Sequence, residues 1–86
     1  MAHRVSKPTT AFVLINCETG TQTMVIDELR TIPQVVEASE IYGSIYDILA
    51  KVTANNENKL KEVIRNSIRR IEKIRSTQTM TVVMTI

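Results

Sequence analysis

Apolar residues fall along this chain in short blocks whose period switches between two and three-to-four, and each switch marks a new element. Residues 11 to 17, AFVLINC, form an apolar run with β-branched and aromatic members, long enough for a strand and too short for an ordinary helix. Both faces of that strand are apolar, with Ala11, Val13, Ile15 and Cys17 on one side and Phe12 and Leu14 on the other. Glu18-Thr19-Gly20-Thr21 then supplies a turn and a hydroxyl for a helix N-cap. Val25, Ile26, Leu29 and Ile32 follow at helical spacing, which predicts a helix ending near Pro33.

Residues 35 to 42, VVEASEIY, and 45 to 52, IYDILAKV, read as two strands of an antiparallel hairpin turned at Gly43-Ser44. In the second of them Tyr46, Ile48, Ala50 and Val52 share one face, and Ile45, Asp47, Leu49 and Lys51 share the other. Asp47 therefore points away from the more apolar face. Asn55 or Asn56 is placed to cap a second helix, whose inward stripe is Leu60, Val63, Ile64, Ser67, Ile68 and Ile71. The closing segment STQTMTVVMTI alternates, with Gln78, Met80, Val82, Met84 and Ile86 on one side and Thr77, Thr79, Thr81, Val83 and Thr85 on the other. The order βαββαβ predicts an α+β, ferredoxin-like sandwich: a four-stranded antiparallel sheet with two helices on one face. The second face of the sheet is then uncovered. Leaving its apolar side chains wet would offset too little chain entropy in so small a domain, so an obligate homo-oligomer packed sheet to sheet is expected.

Length and composition limit this picture more than they extend it. The 86 residues make one domain, read as a flexible basic tail over 1–10 followed by a folded unit over 11–86. One cysteine excludes an internal disulfide framework and suits a reducing compartment, and no apolar run approaches a membrane span, so cytoplasm is the expected location. Net charge is only +2, but residues 57–75 hold seven cations against three carboxylates. That segment is read as the solvated side of the second helix, with contact to nucleic acid or an acidic partner as the sharper alternative.

Candidate chemistry is sparse. The single histidine lies in the tail, the single cysteine lies in the first strand, and no nucleophile-base set, metal-spaced cluster or phosphate-cradling glycine loop is present, so no enzyme activity and no cofactor are expected. With Phe12, Tyr42 and Tyr46 as the only aromatic residues and no basic-aromatic signature, direct nucleic-acid binding is not expected either. The densest polar group is Tyr42, Gly43, Ser44, Tyr46 and Asp47, and the topology brings Ser76, Thr77, Gln78 and Thr79 toward the same end. The bland reading is a hairpin with a solvated aspartate. The sharper one is a zwitterion site, in which Asp47 attracts an ammonium while hydroxyls and backbone N–H groups hold a carboxylate.

The stretches AFVLINCETG, IPQVVEASEIYG, YDILAKVTANN and IRRIEKIRSTQTMTVV resemble, in order and spacing, the effector domain (RAM domain) of the Lrp/AsnC regulator family, over residues 11–86. No helix-turn-helix precedes them, so the chain resembles the stand-alone form of that domain. The resemblance implies dimers made by packing sheets, rings of dimers, often octamers, and small effectors, typically amino acids, bound between dimers. It carries ligand roles onto Gly43, Tyr46, Asp47, Ser76, Thr77 and Thr79, with Tyr42, Ser44 and Gln78 added on chemistry. Two departures stand out: Gly43-Ser44-Ile45-Tyr46-Asp47 is one residue longer than the family's Gly-x-Tyr-Asp, and Glu72-Lys73 replaces its Pro-Gly. An inserted residue reverses side-chain parity unless the turn absorbs it. The expected role is that of a non-enzymatic, amino-acid-sensing oligomeric module in transcriptional regulation, which modulates or co-assembles with a DNA-binding relative. A purely structural oligomerisation domain, a sensor of a metal ion or nucleotide, and an ACT-type amino-acid-binding domain remain as alternatives.

Overall fold

Strict alternation of burial along two strands sets the architecture, which we describe from a computed structural model covering residues 8–86. In β1 (Thr9–Cys17) Ala11, Val13, Ile15 and Cys17 are buried and their neighbours only half-buried. β3 (Ile48–Ala54) repeats the pattern with Ile48, Ala50, Val52 and Ala54. The two pair antiparallel, Val13 opposite Ala50 and Ile15 opposite Ile48, so their buried sets share one face. With β2 (Val35–Glu40) and β4 (Ile74–Thr81) on the flanks, the sheet order is β2-β3-β1-β4. This is the predicted ferredoxin-like sandwich. Helices α1 (Gln22–Leu29) and α2 (Glu57–Val63) lie on the buried face, where Val25, Leu29, Leu60 and Val63 meet the strands in one core.

Several element bounds differ from the sequence reading. Thr9 and Thr10 belong to β1, while the rest of the expected tail falls on residues 1–7, outside the described ones, apart from Pro8. The Thr21 hydroxyl stands at the N-cap position of α1 but donates back to the Glu18 carbonyl at 2.7 Å, closing the turn instead of capping the helix. Asn56 does cap α2, its Oδ1 accepting from the Lys59 N–H at 2.8 Å. Past Val63 the helix widens into a π-helical turn, Ile64–Ile68, with the Arg69 N–H donating to the Ile64 carbonyl at 3.0 Å. The wider turn keeps Ile64, Ile68 and Ile71 inward and leaves Ser67 exposed, against the expectation for Ser67.

The hairpin between β2 and β3 is the largest difference. Instead of a tight turn at Gly43-Ser44, β2 stops at Glu40 and β3 starts at Ile48. The Ile41 N–H donates to the Asp47 carbonyl at 2.8 Å, closing the base of a loop over 42–46. The extra residue relative to the family pattern lies in that loop, so the parity of β3 is untouched. At the other helix-to-strand junction Lys73 takes a positive φ of 79° at the place of the family's glycine, and its carbonyl accepts from the Glu18 N–H at 2.8 Å.

A left-handed backbone costs a non-glycine residue roughly 1–2 kcal/mol, part of which glycine gives back as unfolded-chain entropy. Lys73→Gly is therefore expected to stabilise the fold by about 1 kcal/mol, raising the melting temperature by roughly 4–8 °C for a domain of this size. Thermal unfolding of both proteins at one concentration checks this; an unchanged or lower transition contradicts it.

Candidate functional site

The loop over 42–46 owes its shape to β1, not to its own turn residues. Asn16 follows Phe12 and Leu14 on the open face of β1, and its Nδ2 donates to the Ile45 carbonyl at 2.6 Å and to Asp47 Oδ2 at 3.4 Å. The Asp47 N–H donates to the Ile15 carbonyl at 2.8 Å, and Asp47 Oδ2 accepts from the Cys17 N–H at 3.0 Å. Within the loop the Tyr46 N–H donates to Ser44 Oγ at 2.9 Å, a local serine turn next to Gly43, whose φ of 114° favours glycine.

Asp47 is half-buried, and both of its side-chain hydrogen bonds from the described residues end on Oδ2. Oδ1 thus keeps its lone pairs for a donor from elsewhere. Ile41 through Asp47 line an open cavity of about 470 Å³. Tyr42 is fully exposed at its edge. The Tyr46 hydroxyl donates to Gln78 Oε1 at 2.9 Å, tying the loop across the sheet to β4.

The nine candidates from the sequence do not form one group within a protomer. Register decides this: Leu14 lies opposite Gln78 and Asn16 opposite Ser76 on the open face, whereas Val13 lies opposite Thr79 and Ile15 opposite Thr77 on the helix face. Tyr42, Gly43, Ser44, Tyr46 and Asp47 form the loop group, with Gln78 joined by its bond to Tyr46. Thr77 and Thr79 open instead into a cleft of about 420 Å³ between β4 and the end of α2, whose wall also includes Ser76. Asn16, Arg69 and Arg75 are the positions that the sequence reading missed. A lone polar residue in the apolar run AFVLINC was the available signal for Asn16; a β-bulge and a π-turn have none.

Cys17 lies under the same end of β1, almost fully buried. Burial pushes its thiol above the ordinary value of 9.0; a hydrogen bond with Thr21 opposes this, and the charges of Asp47 and Glu40 reinforce it. The thiol is thus a protonated structural group at neutral pH. Among the described residues no three of His, Cys, Asp and Glu gather as a metal site, and no helix is long and apolar enough to cross a membrane.

Comparison with known proteins gives the class. The model of the Lrp/AsnC ligand binding domain matches residues 10–86, and the chain belongs to that family. Among solved structures it is similar to a hypothetical protein from Pyrococcus horikoshii, with 32% identity, a TM-score of 0.82, and coverage of 90% of this chain and 92% of that one. It is similar as well to AsnC of E. coli, with 27% identity and a TM-score of 0.83 over 90% of this chain and 52% of that chain. Among curated proteins a homocitrate synthase of Sulfurisphaera tokodaii is 40% identical over 70 residues, which are 80% of this chain and 15% of that enzyme. The chain therefore spans a small part of that relative's length, and a regulatory, effector-binding role is what the family supports.

The raised thiol pKa has a stability consequence. A group whose pKa is higher folded than unfolded contributes stability that is complete below the unfolded value and is lost as pH rises through the folded one. The stability difference between the native protein and Cys17→Ala is expected to shrink, to the native protein's disadvantage, from pH 8 upward. Urea unfolding of both between pH 7 and about 10.5 measures it; a difference constant with pH would contradict the assignment.

Proposed function

We propose that this chain is an amino-acid-sensing oligomeric module of transcriptional regulation, which acts through copies of itself and a DNA-binding relative of the same family. The observation that carries this reading is Asp47: a half-buried carboxylate with one oxygen spent on the Cys17 N–H and the other uncommitted, beside the cavity of the 41–47 loop. An ammonium group is its natural partner. Ser44, Gln78 and exposed loop backbone supply donors for a ligand carboxylate, and Tyr42 and Tyr46 supply apolar surface. Thr77 and Thr79, on the other side of β4, reach such a ligand only from a second copy in a ring.

Assembly follows from the open face of the sheet. Phe12, Leu14, Leu49 and Val82 are half-exposed there and Met80 is 44% exposed, with no element of the described chain over them. A second sheet packed against this face removes that apolar area from water at roughly 25 cal/mol per Å². The cavity beside Asp47 then sits at the end of the joined sheets, where ring contacts between dimers can close it.

A second reading has the module regulate an enzyme instead of a promoter. Its support is the 40% identity over 70 residues to a protein named as a homocitrate synthase. Both readings keep the same effector site and differ in the partner.

Calorimetry on the native oligomer with each of the twenty amino acids tests the site. At least one is expected to bind, and Asp47→Asn, which keeps an acceptor for the Cys17 N–H and removes the charge, is expected to weaken it at least about tenfold without changing the sedimentation coefficient. Silence from all twenty, or an Asp47→Asn protein that falls apart, makes Asp47 architectural. For the interface, Leu14→Glu is expected to yield monomers or unfolded chain in sedimentation velocity; an unaltered oligomer would place the contact elsewhere.

A further inference from the structure

The cleft between β4 and the end of α2 carries features that amino-acid sensing through Asp47 does not use. Its walls are built by two local insertions that face each other. On the helix side the π-turn Ile64–Ile68 inserts an extra residue into the turn and delivers Arg69 to the rim. On the strand side the pairing with β1 jumps from Asn16–Ser76 to Cys17–Ile74, which makes Arg75 the unpaired residue of a β-bulge. A bulge re-aims the side chain it carries, and both devices interrupt regular hydrogen bonding, so neither is favoured by local propensity.

The result is that Arg69 and Arg75 line one cavity of about 420 Å³ together with Ser76, Thr77 and Thr79, of which Thr77 and Thr79 stand on the helix face. Among the described residues the one ion pair is Lys59–Glu62, so neither arginine is neutralised by a carboxylate. The hydroxyls of Thr77 and Thr79 likewise take no protein partner in the hydrogen bonds of the described residues. Ile64 and Ile74 complete the lining with apolar surface. A second groove continues from the first through Ile64, Arg69 and Thr79, adding Lys61 and Arg65 against Glu57, so the field along the whole trough is positive. Donors without acceptors are the chemistry of a site whose acceptors arrive with the ligand.

We propose that this cleft binds a small organic anion, its phosphate or carboxylate oxygens clamped between Arg69 and Arg75 and hydrogen-bonded by Thr77 and Thr79, with its carbon skeleton on Ile64 and Ile74. Planar guanidinium groups bind such oxyanions in a bidentate fork that a lysine cannot reproduce. The volume exceeds that of a bare inorganic ion and falls in the range of metabolite pockets. The site takes Thr77 and Thr79, which the effector reading lends to a neighbouring copy, but it needs neither Asp47 nor an amino acid bound beside it.

The test is a titration of the full-length native oligomer, followed by amide NMR at fixed ionic strength, with inorganic phosphate and separately with glutarate. One or both are expected to saturate at about millimolar concentration and to shift amides of Ile64–Arg69 and Arg75–Thr79, and the probe that saturates first identifies the oxyanion. Arg69→Gln and Arg75→Gln are each expected to weaken binding at least about tenfold, Arg69→Lys by less, while Lys59→Gln leaves it unchanged. The proposal is overturned if neither probe saturates, or if Lys59→Gln weakens binding as much as Arg69→Gln does, since the basic helix then acts as a diffuse charge. Double-stranded DNA that binds the isolated chain equally well before and after both arginine substitutions would also count against it.

Discussion

A sheet with helices on one side only is the constraint from which the rest of this molecule follows. β1 is a central strand that must pack on both faces: Ala11, Val13 and Ile15 are fully buried under the helices, while Phe12 and Leu14 face outward with nothing of the described chain above them. α1 is eight residues long and α2 seven, too short to be stable alone, so their helicity depends on docking to that sheet. The same sheet then needs a cover for its other side. In the proposed oligomer, stability, assembly and the position of a ligand site between copies are thus one problem for a chain of this size.

The polar end of the sheet is secured from underneath. Asn16 and the Ile15 carbonyl, both on β1, hold Ile45 and Asp47, and the Cys17 N–H holds the Asp47 carboxylate. The loop between them therefore tolerates a change of length without shifting β3, whose first paired residue, Ile48, is fixed opposite Ile15 by burial on the helix face. The residue that lengthens this loop relative to the family pattern is consequently free to alter the cavity while the register stays put. In the proposed site, effector choice and fold are therefore decoupled, because the residues that would bind ride on a loop carried by a rigid scaffold.

How much of this could be read in the amino-acid sequence depends on whether the information was local. The burial periods of β1 and β3, the Asn56 cap and the βαββαβ order are encoded in spacings of two to four residues and were legible. Ser67 was misplaced because a π-turn looks, in sequence, like an ordinary helical stripe; only the docking of Ile64, Ile68 and Ile71 on the sheet selects the wider turn. The Gly43-Ser44 turn was drawn too tight because the groups that open it, Asn16 and the end of β1, lie about thirty residues away. The split of the Ser76–Thr79 candidates between two faces follows from strand parity, which the sequence contains; a shared position at one end of the sheet does not reveal it.

The two arginines illustrate where such reading stops. In the sequence Arg69 and Arg75 belong to a run of seven cations that an amphipathic helix fully explains as its wet side. The structure separates them from that run, because one sits where the helix is widened and the other where β4 is bulged, on opposite walls of the same cleft. A solvated face requires neither irregularity. Docking of Ile64, Ile68 and Ile71 selects the wider turn, and together with the bulge it brings two forked donors and the Thr77 and Thr79 hydroxyls to one cleft over an apolar floor. Charge density alone would have pointed to the middle of α2, whereas convergence points to its end, and it is convergence that distinguishes a site from a surface.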